Sequence, residues 1–207
     1  MSFSRDFLTE TEKVARTIDA DAIEKMAKGL ATVRERGGRV FFVGVGGGAG
    51  HASHAVCDFR KLAGIECYSP SDNASELTAR INDEGWETSY SAWLQASRIN
   101  KNDAVFVFSV GAGSEDKKVS VNLVNAVNIA KSVGAMVLGI VGRDGGHTAK
   151  RGDAVVIVPT VADSRVTPHT EAYQAVVWHL LVSHPDVARS ATKWESVVGA
   201  APSATNR

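Results

Sequence analysis

The N-terminal 36 residues carry apolar side chains at the spacing of helices rather than strands. A polar stretch at Asp19–Asp21 divides them into two segments. Within each segment the apolar residues recur every three or four positions, so they fall on one helical face. They are Phe3, Phe7, Val14 and Ile18 in the first segment, and Ile23, Met26, Ala27, Leu30 and Val33 in the second. The pattern predicts two amphipathic helices.

From residue 37 onward the pattern changes to short, continuous apolar runs. Such runs indicate strands that are covered on both faces, as in a parallel sheet. They occupy residues 37–45, 103–110, 135–141 and 153–159, with a weaker run at 63–69. Helical patterns occupy 50–62, 73–82, 86–98, 115–133 and 168–184. The alternation predicts a doubly wound α/β domain, whose ligands bind beyond the carboxyl ends of the strands.

Composition and charge indicate which classes of binding partner the sequence does not favour. The 207 residues are 44% hydrophobic, which suits one globular domain with a full core. Basic and acidic residues total 23 each, so no basic excess favours nucleic acid or an anionic membrane surface. No apolar run reaches the about 18 residues of a membrane span, and the charged N-terminus is unlike a signal peptide. Cys57 and Cys67 lack metal-like spacing, so we expect free thiols and a cytoplasmic protein.

The glycine loop GVGGGA at 44–49 has three interpretations. It fits a loose G-x-G-x-x-A dinucleotide pattern, it suits a sugar-phosphate site, and it also suits a plain tight turn between a strand and a helix. An NAD(P)-dependent enzyme would need an acidic residue closing the second strand, but Asp72 lies beyond that strand. The following helix carries His51, His54 and Asp58, which argues against a dinucleotide fold.

Two pairs of polar residues are candidates for chemistry. His54 and Asp58 are one turn apart and share a helical face, a spacing that suits a metal ion or a proton path, and equally a surface pair. Glu171 and His179 lie two turns apart in the last helix, about 12 Å along its axis. One ion contacts both only if each side chain reaches inward, or if two subunits supply the ligands. His179 also suits a core position.

Together these motifs resemble the sugar isomerase (SIS) domain family, and within it the phosphoheptose isomerases, over residues 5–185. The resemblance rests on VGVGGGAGHASHAVCDF, SELTARINDEGWETSYSAWL, SVGAGSED, GIVGRDGGHTAKRGDAVVIVP and TEAYQAVVWHLL. It implies a three-layer α/β/α sandwich with a five-stranded parallel sheet. It also implies oligomerising helices over 1–36, the SIS domain over 37–187 and a tail over 188–207. A homotetramer with active sites at subunit interfaces is expected.

The resemblance further implies metal and catalytic positions at His54, Asp58, Glu171 and His179. In the family these residues hold zinc during aldose–ketose isomerisation of a sugar phosphate through an enediol. Asp58 would be the base and His179 the acid, with Glu171 as an alternative base. The substrate-binding positions would be Gly46, Gly47, Gly48, Asn82, Asp83, Ser109, Gly111, Gly113 and Ser114.

Several positions depart from the family pattern. Asp58 stands where the family has glutamate, and Glu171 where it has glutamine. The hydroxyl-rich phosphate loop S-T-S-G-x-S reads SVGAGS here. Glu115 and Asp116 are predicted to open the next helix, the electrostatic position that a phosphate would occupy. These departures favour a second hypothesis, a non-catalytic SIS module that binds or senses a sugar or sugar phosphate.

Overall fold

Five short strands carry the apolar runs and pair into one parallel sheet. A computed structural model describes residues 2–190. Residues 191–207, most of the predicted tail, lie outside the described residues. The strands are β1 (Arg39–Gly44), β2 (Glu66–Tyr68), β3 (Ala104–Ser109), β4 (Met136–Val141) and β5 (Ala154–Ile157), in the order β2-β1-β3-β4-β5. All their pairings are parallel, as the continuous hydrophobic runs predicted.

The helices occupy nearly all the predicted positions. They are α1 (Phe3–Thr17), α2 (Ala20–Glu35), α3 (Gly47–Leu62), α4 (Ala74–Glu84), α5 (Ser89–Ala96), α6 (Val121–Ser132), α7 (Gly146–Arg151) and α8 (Val166–Ser183). The short α7 was not predicted, because six residues are too few to show a helical period. No helix within residues 2–190 is long and apolar enough to cross a membrane.

Alternate residues of the central strands β1, β3 and β4 face two separate cores. On one face the rings of Phe42, Phe106 and Phe108 pack together, with centroids 5.0–5.9 Å apart, in a core shared with residues of α2, α3 and α8. On the other face Phe41 and Val105 pack against residues of α5 and α6. Helices on both faces of a parallel sheet confirm the predicted three-layer α/β/α sandwich.

Helix α1 is attached to α8 by polar contacts. Glu10 accepts hydrogen bonds from Arg165 Nη2 at 2.5 Å and Arg165 Nε at 2.7 Å, and its Oε2 lies 2.8 Å from His169 Nε2. The Tyr173 hydroxyl donates to the Thr11 carbonyl at 2.5 Å. Hydrogen bonds from Arg165 and His169 lower the pKa of Glu10 to about 2. Helix α1 is therefore held against α8 by the charged contacts of Glu10 and by the neutral hydrogen bond of Tyr173.

The strand order creates a switch point between β1 and β3. The chain moves from β1 to β2 on one side, and then crosses to β3 on the other side of β1. The connections after β1 and β3 therefore leave in opposite directions and open a crevice at their carboxyl ends. Gly44 and Ser109 end these two strands, so the crevice lies between the glycine loop and the SVGAGS loop.

Candidate functional site

The glycine loop allows α3 to start close to the sheet. A Cβ atom at Gly48 would come within 2.4 Å of the Phe108 carbonyl oxygen, and one at Gly44 within 2.3 Å of the Gly48 backbone. The buried Tyr90 hydroxyl donates to the Gly44 carbonyl at 2.6 Å and fixes the end of β1. Two of the loop glycines are thus required by backbone packing alone.

Three of the four predicted metal ligands meet between α3 and α8. One donor atom each of His54, Asp58 and His179 lie within 4.8 Å of one another. His54 Nε2 is 3.9 Å from Asp58 Oδ2, and the rings of His54 and His179 are 5.6 Å apart. His54 is exposed, whereas Asp58 and His179 are half-buried. Two imidazoles and a carboxylate are a donor set that zinc accepts, with a fourth position left for water or substrate.

The backbone of α8 sets the tautomer of His179. Its Nδ1 lies 2.7 Å from the Ala175 carbonyl oxygen, which can only accept a hydrogen bond. Nδ1 therefore carries the proton, and the lone pair of neutral His179 is on Nε2. A histidine ligand is held in this way when its second nitrogen donates to a carbonyl. The neutral imidazole is thus prepared to bind a metal ion or accept a proton.

Glu171 does not join this group. It lies two turns before His179 on α8, beside the first turn of α3. A Cβ atom at Gly47 would come within 2.6 Å of all three atoms of the Glu171 carboxyl group. The carboxylate thus rests on the Cα atom of Gly47. The four-residue cluster expected from the resemblance is therefore divided into three donors and a separate carboxylate within this chain.

His51 is a functional candidate to which the sequence analysis gave no role. Its ring is half-buried, 5.9 Å from the ring of Phe108 near the end of β3. Burial lowers the pKa of His51, and the Glu171 carboxylate and backbone act in the opposite direction. The i, i+3 spacing to His54 was the available signal, because it places both imidazoles on one side of α3.

The SVGAGS loop uses much of its hydrogen-bonding capacity internally. Ser109 Oγ accepts from the Ala112 N–H at 2.9 Å, and Ser114 Oγ accepts from the Lys117 N–H at 3.2 Å. The Ser114 N–H donates to the Val119 carbonyl at 2.9 Å. Of the four N–H groups at 111–114, those of Ala112 and Ser114 thus have partners within the loop. This loop offers a phosphate fewer donors than its sequence indicated.

The predicted position of two acidic residues was wrong. Glu115 and Asp116 do not open a helix, because they lie in a turn closed by the bridge between Ser114 and Val119. Helix α6 begins only at Val121. Ser120 has a φ of 49°, a left-handed conformation that a continuing right-handed helix excludes.

A cavity of about 600 Å³ lies between the loops that follow β3 and β4. Three predicted substrate residues line it, namely Gly111, Gly113 and Ser114. Its charged lining is balanced: Lys117, Arg143 and Lys150 against Glu115, Asp116 and Asp144. The cavity therefore presents both positively and negatively charged side chains to a polar ligand.

Glu115 is held on the cavity wall by a polar network. Asn128 Nδ2 donates to Glu115 Oε1 at 3.1 Å, and His147 Nε2 donates to Asn128 Oδ1 at 2.9 Å. His147 Nδ1 lies 3.8 Å from the same Glu115 oxygen. Burial lowers the pKa of His147, with the Glu115 charge opposing it. An anionic ligand in this cavity would meet the Glu115 carboxylate.

The remaining predicted substrate residues lie elsewhere. Asn82 and Asp83 are exposed on α4, where Asn82 Nδ2 donates to Asp83 Oδ1 at 2.7 Å. They do not line the 600 Å³ cavity, and neither do Gly46, Gly47 and Gly48. Within residues 2–190 the predicted substrate positions therefore form separate groups.

Sequence comparison finds relatives over most of the chain. No family model matches. The chain is 30% identical over 195 residues to lincomycin biosynthesis protein LmbN of Streptomyces lincolnensis, covering 89% of this chain and 69% of that protein. It is also 30% identical over 165 residues to the phosphoheptose isomerase of Helicobacter hepaticus, covering 77% of this chain and 79% of that protein.

The fold agrees with these relatives. The structure of phosphoheptose isomerase GmhA from Neisseria gonorrhoeae superposes with a TM-score of 0.74, covering 87% of this chain and 95% of that chain at 21% identity. At 21% identity, the superposition shows only that the two proteins share a fold. Membership of the family rests on the relative that is 30% identical in sequence. The chain belongs to the phosphoheptose isomerase group of the sugar isomerase domain family.

Proposed function

We propose that the protein is an aldose–ketose isomerase whose substrate is a sugar phosphate of the sedoheptulose 7-phosphate type. The observation that carries the proposal is the convergence of His54, Asp58 and His179 between α3 and α8. Relatives named phosphoheptose isomerase support the reaction class. The chemistry moves one proton between adjacent carbons through an enediol, and so requires a base at carbon and an acid at oxygen.

His54, Asp58 and His179 would hold a divalent ion, with zinc the best match to two imidazoles and a carboxylate. The chemistry that such an ion supplies is polarisation of a carbonyl group. Because Asp58 then serves as a ligand, Glu171 is the carboxylate left to act as the base. Glu171 lies at the crevice where β1 and β3 end, which supports this assignment.

The substrate phosphate would lie in the 600 Å³ cavity. Gly111 and Gly113 supply backbone N–H groups there, and Lys117, Arg143 and Lys150 supply cations. The cations are needed because the N–H groups of Ala112 and Ser114 already donate to Ser109 Oγ and to the Val119 carbonyl. Glu115 weakens binding of the phosphate without closing the cavity.

We also propose a homotetramer in the cytoplasm. Val176 and Leu180 are 53% and 41% exposed on α8, and flank His179. Exposed apolar groups beside a polar site support burial by a second copy that completes the site. Cys57 and Cys67 are free thiols, which supports a reducing compartment.

The experiment is metal analysis of protein purified without added metal, followed by incubation with sedoheptulose 7-phosphate and a panel of other ketose phosphates. Nuclear magnetic resonance would detect the aldose phosphate formed. Conversion of one compound by wild-type protein and loss of conversion in His179→Ala is the expected result. Failure of the metal-loaded protein to convert any compound would overturn the proposal.

A non-catalytic sugar-phosphate binding protein is the second candidate. The internally bonded N–H groups of Ala112 and Ser114 and the Glu115 carboxylate on the cavity wall favour it. It predicts that a sugar phosphate raises the melting temperature while no product forms over the same concentration range.

A further inference from the structure

The glycine loop between β1 and α3 is anchored by one side chain. Its residues 44–50 read GVGGGAG, so five of the seven positions are glycines. Within residues 2–190, Tyr90 is the only side chain that hydrogen-bonds to the backbone of this segment, and its hydroxyl donates to the Gly44 carbonyl at 2.6 Å. Glycine loses more conformational freedom on folding than any other residue, so a segment this rich in glycine depends strongly on each fixed contact.

The surroundings keep the Tyr90 hydroxyl protonated. Tyr90 lies on α5 and is 1% exposed, on the face of the sheet that also buries Phe41 and Val105. Burial raises the pKa of its hydroxyl to about 12. The hydroxyl therefore donates to the Gly44 carbonyl throughout the neutral pH range.

Backbone contacts lead from Gly44 to the Glu171 carboxylate. A Cβ atom at Gly44 would come within 2.3 Å of the carbonyl carbon and oxygen of Gly48, so the end of β1 lies directly against the first turn of α3. Gly47 precedes Gly48 in the chain, and a Cβ atom at Gly47 would come within 2.6 Å of the Glu171 carboxyl group. A continuous series of contacts therefore joins the Tyr90 hydroxyl on one side of the loop to Glu171 of α8 on the other.

We propose that Tyr90 is a positioning residue for the isomerase reaction: its hydroxyl fixes the glycine loop, and the loop in turn holds the Glu171 carboxylate in place. The proposal rests on the isomerase function argued above, in which Glu171 is the base. Tyr90 belongs neither to the group of His54, Asp58 and His179 nor to the lining of the 600 Å³ cavity. Its effect is therefore expected on proton transfer at carbon, and not on binding of the metal ion or the phosphate.

The test compares Tyr90→Phe with Tyr173→Phe, and each substitution removes one hydroxyl and keeps the aromatic ring. Tyr173 is the matched control because its buried hydroxyl also donates to a backbone carbonyl, that of Thr11 at 2.5 Å, which lies outside the loop. Both variants should lose about 2–4 °C in melting temperature, as expected for one buried hydrogen bond. Only Tyr90→Phe should lower kcat, by about 10–100-fold, with KM and metal affinity unchanged.

A double-mutant cycle with Glu171→Asp tests whether Tyr90 acts through Glu171. The shorter side chain already withdraws the carboxylate from its position, so the position that Tyr90 maintains is lost in this background. Adding Tyr90→Phe to Glu171→Asp should therefore lower kcat by a much smaller factor than Tyr90→Phe does alone. The same factor in both backgrounds, wild-type kcat in Tyr90→Phe, or an equal fall of kcat in Tyr173→Phe overturns the proposal.

Amide hydrogen exchange of the loop gives a measurement that does not depend on turnover. The N–H groups of Gly48 and Ala49 donate to the carbonyls of Val45 and Gly46 at 3.1 and 3.0 Å. Tyr90→Phe should speed exchange in residues 44–50, whereas Tyr173→Phe should not. Unchanged exchange in Tyr90→Phe overturns the anchoring of the loop. If wild-type protein converts no sugar phosphate while this exchange still rises, the proposed function fails, and with it the role in positioning Glu171 for the reaction, whereas the anchoring of the loop stands.

Discussion

The imidazole rings of His54 and His179 lie 5.6 Å apart and nearly perpendicular, at 88°, although they come from helices α3 and α8. Trp178 contacts both rings, at 4.7 Å from His54 and 3.5 Å from His179. Trp178 is fully buried, so its indole supports the two imidazoles from the core side. The distance and the angle between the two imidazole rings are thus set by core packing around Trp178.

Replacing His179 by alanine is expected to remove metal binding. The substitution leaves His54 and Asp58 as two donors on one helix, too few to fill the coordination of zinc. We expect metal affinity to fall by at least about tenfold, measured by titration of metal-free protein. His184→Ala, at the same end of α8, should keep wild-type affinity; a similar loss there would point to a general effect on the helix.

Gly47→Ala is expected to lower activity with little loss of stability. The new Cβ atom would meet the Glu171 carboxyl group at 2.6 Å, and this flexible side chain would move away. A displacement of about 1 Å of a catalytic group costs about 10²-fold in rate. Activity and melting temperature would be measured together.

Gly50→Ala is the matched control for Gly47→Ala. A Cβ atom at Gly50, also in α3, meets nothing within 4 Å, so activity should stay and stability should rise by about 0.5–1 kcal/mol. Equal activity in the two variants would contradict the placement of Glu171 beside Gly47.

Glu115→Gln is expected to improve binding of a phosphorylated substrate. The variant keeps the size of the side chain but removes a charge from the cavity wall that Asn128 and His147 hold in place. Removing one like charge near a phosphate changes binding by about 1 kcal/mol, or about fivefold in KM. Glu87→Gln, on an exposed residue outside the cavity, is the control. An unchanged or raised KM in Glu115→Gln would place the phosphate elsewhere.

The Glu10 contacts predict a loss of stability in acid. The folded pKa of Glu10 is depressed from 4.5 to about 2 by Arg165 and His169, so its contribution is present above pH 4.5 and is lost as the pH falls toward 2. The melting temperature of Glu10→Gln should therefore lie below that of wild-type protein at pH 7. The difference should shrink between pH 4.5 and pH 2, in thermal melts at constant ionic strength. A constant difference over that range would argue against the ion pair.

Local patterns in the sequence were sufficient to predict the positions of the strands and of most helices. Continuous apolar runs identified all five strands, because burial on both faces leaves no polar alternation. The α6 start was misplaced because the left-handed Ser120 gives no periodic signal, and α7 is too short to have one. The family resemblance was confirmed by a phosphoheptose isomerase that is 30% identical to this chain.

The sequence by itself determined the fold class and the residue types available for chemistry, since both follow from local spacing along single elements. Which of these residues meet was decided only by the tertiary structure. Packing of α8 against α3 brings His179 to His54 and Asp58 and leaves Glu171 beside Gly47. The physical reason is that the separation along one helix is fixed by its rise per residue, whereas the separation between two helices is fixed by the side chains that pack between them.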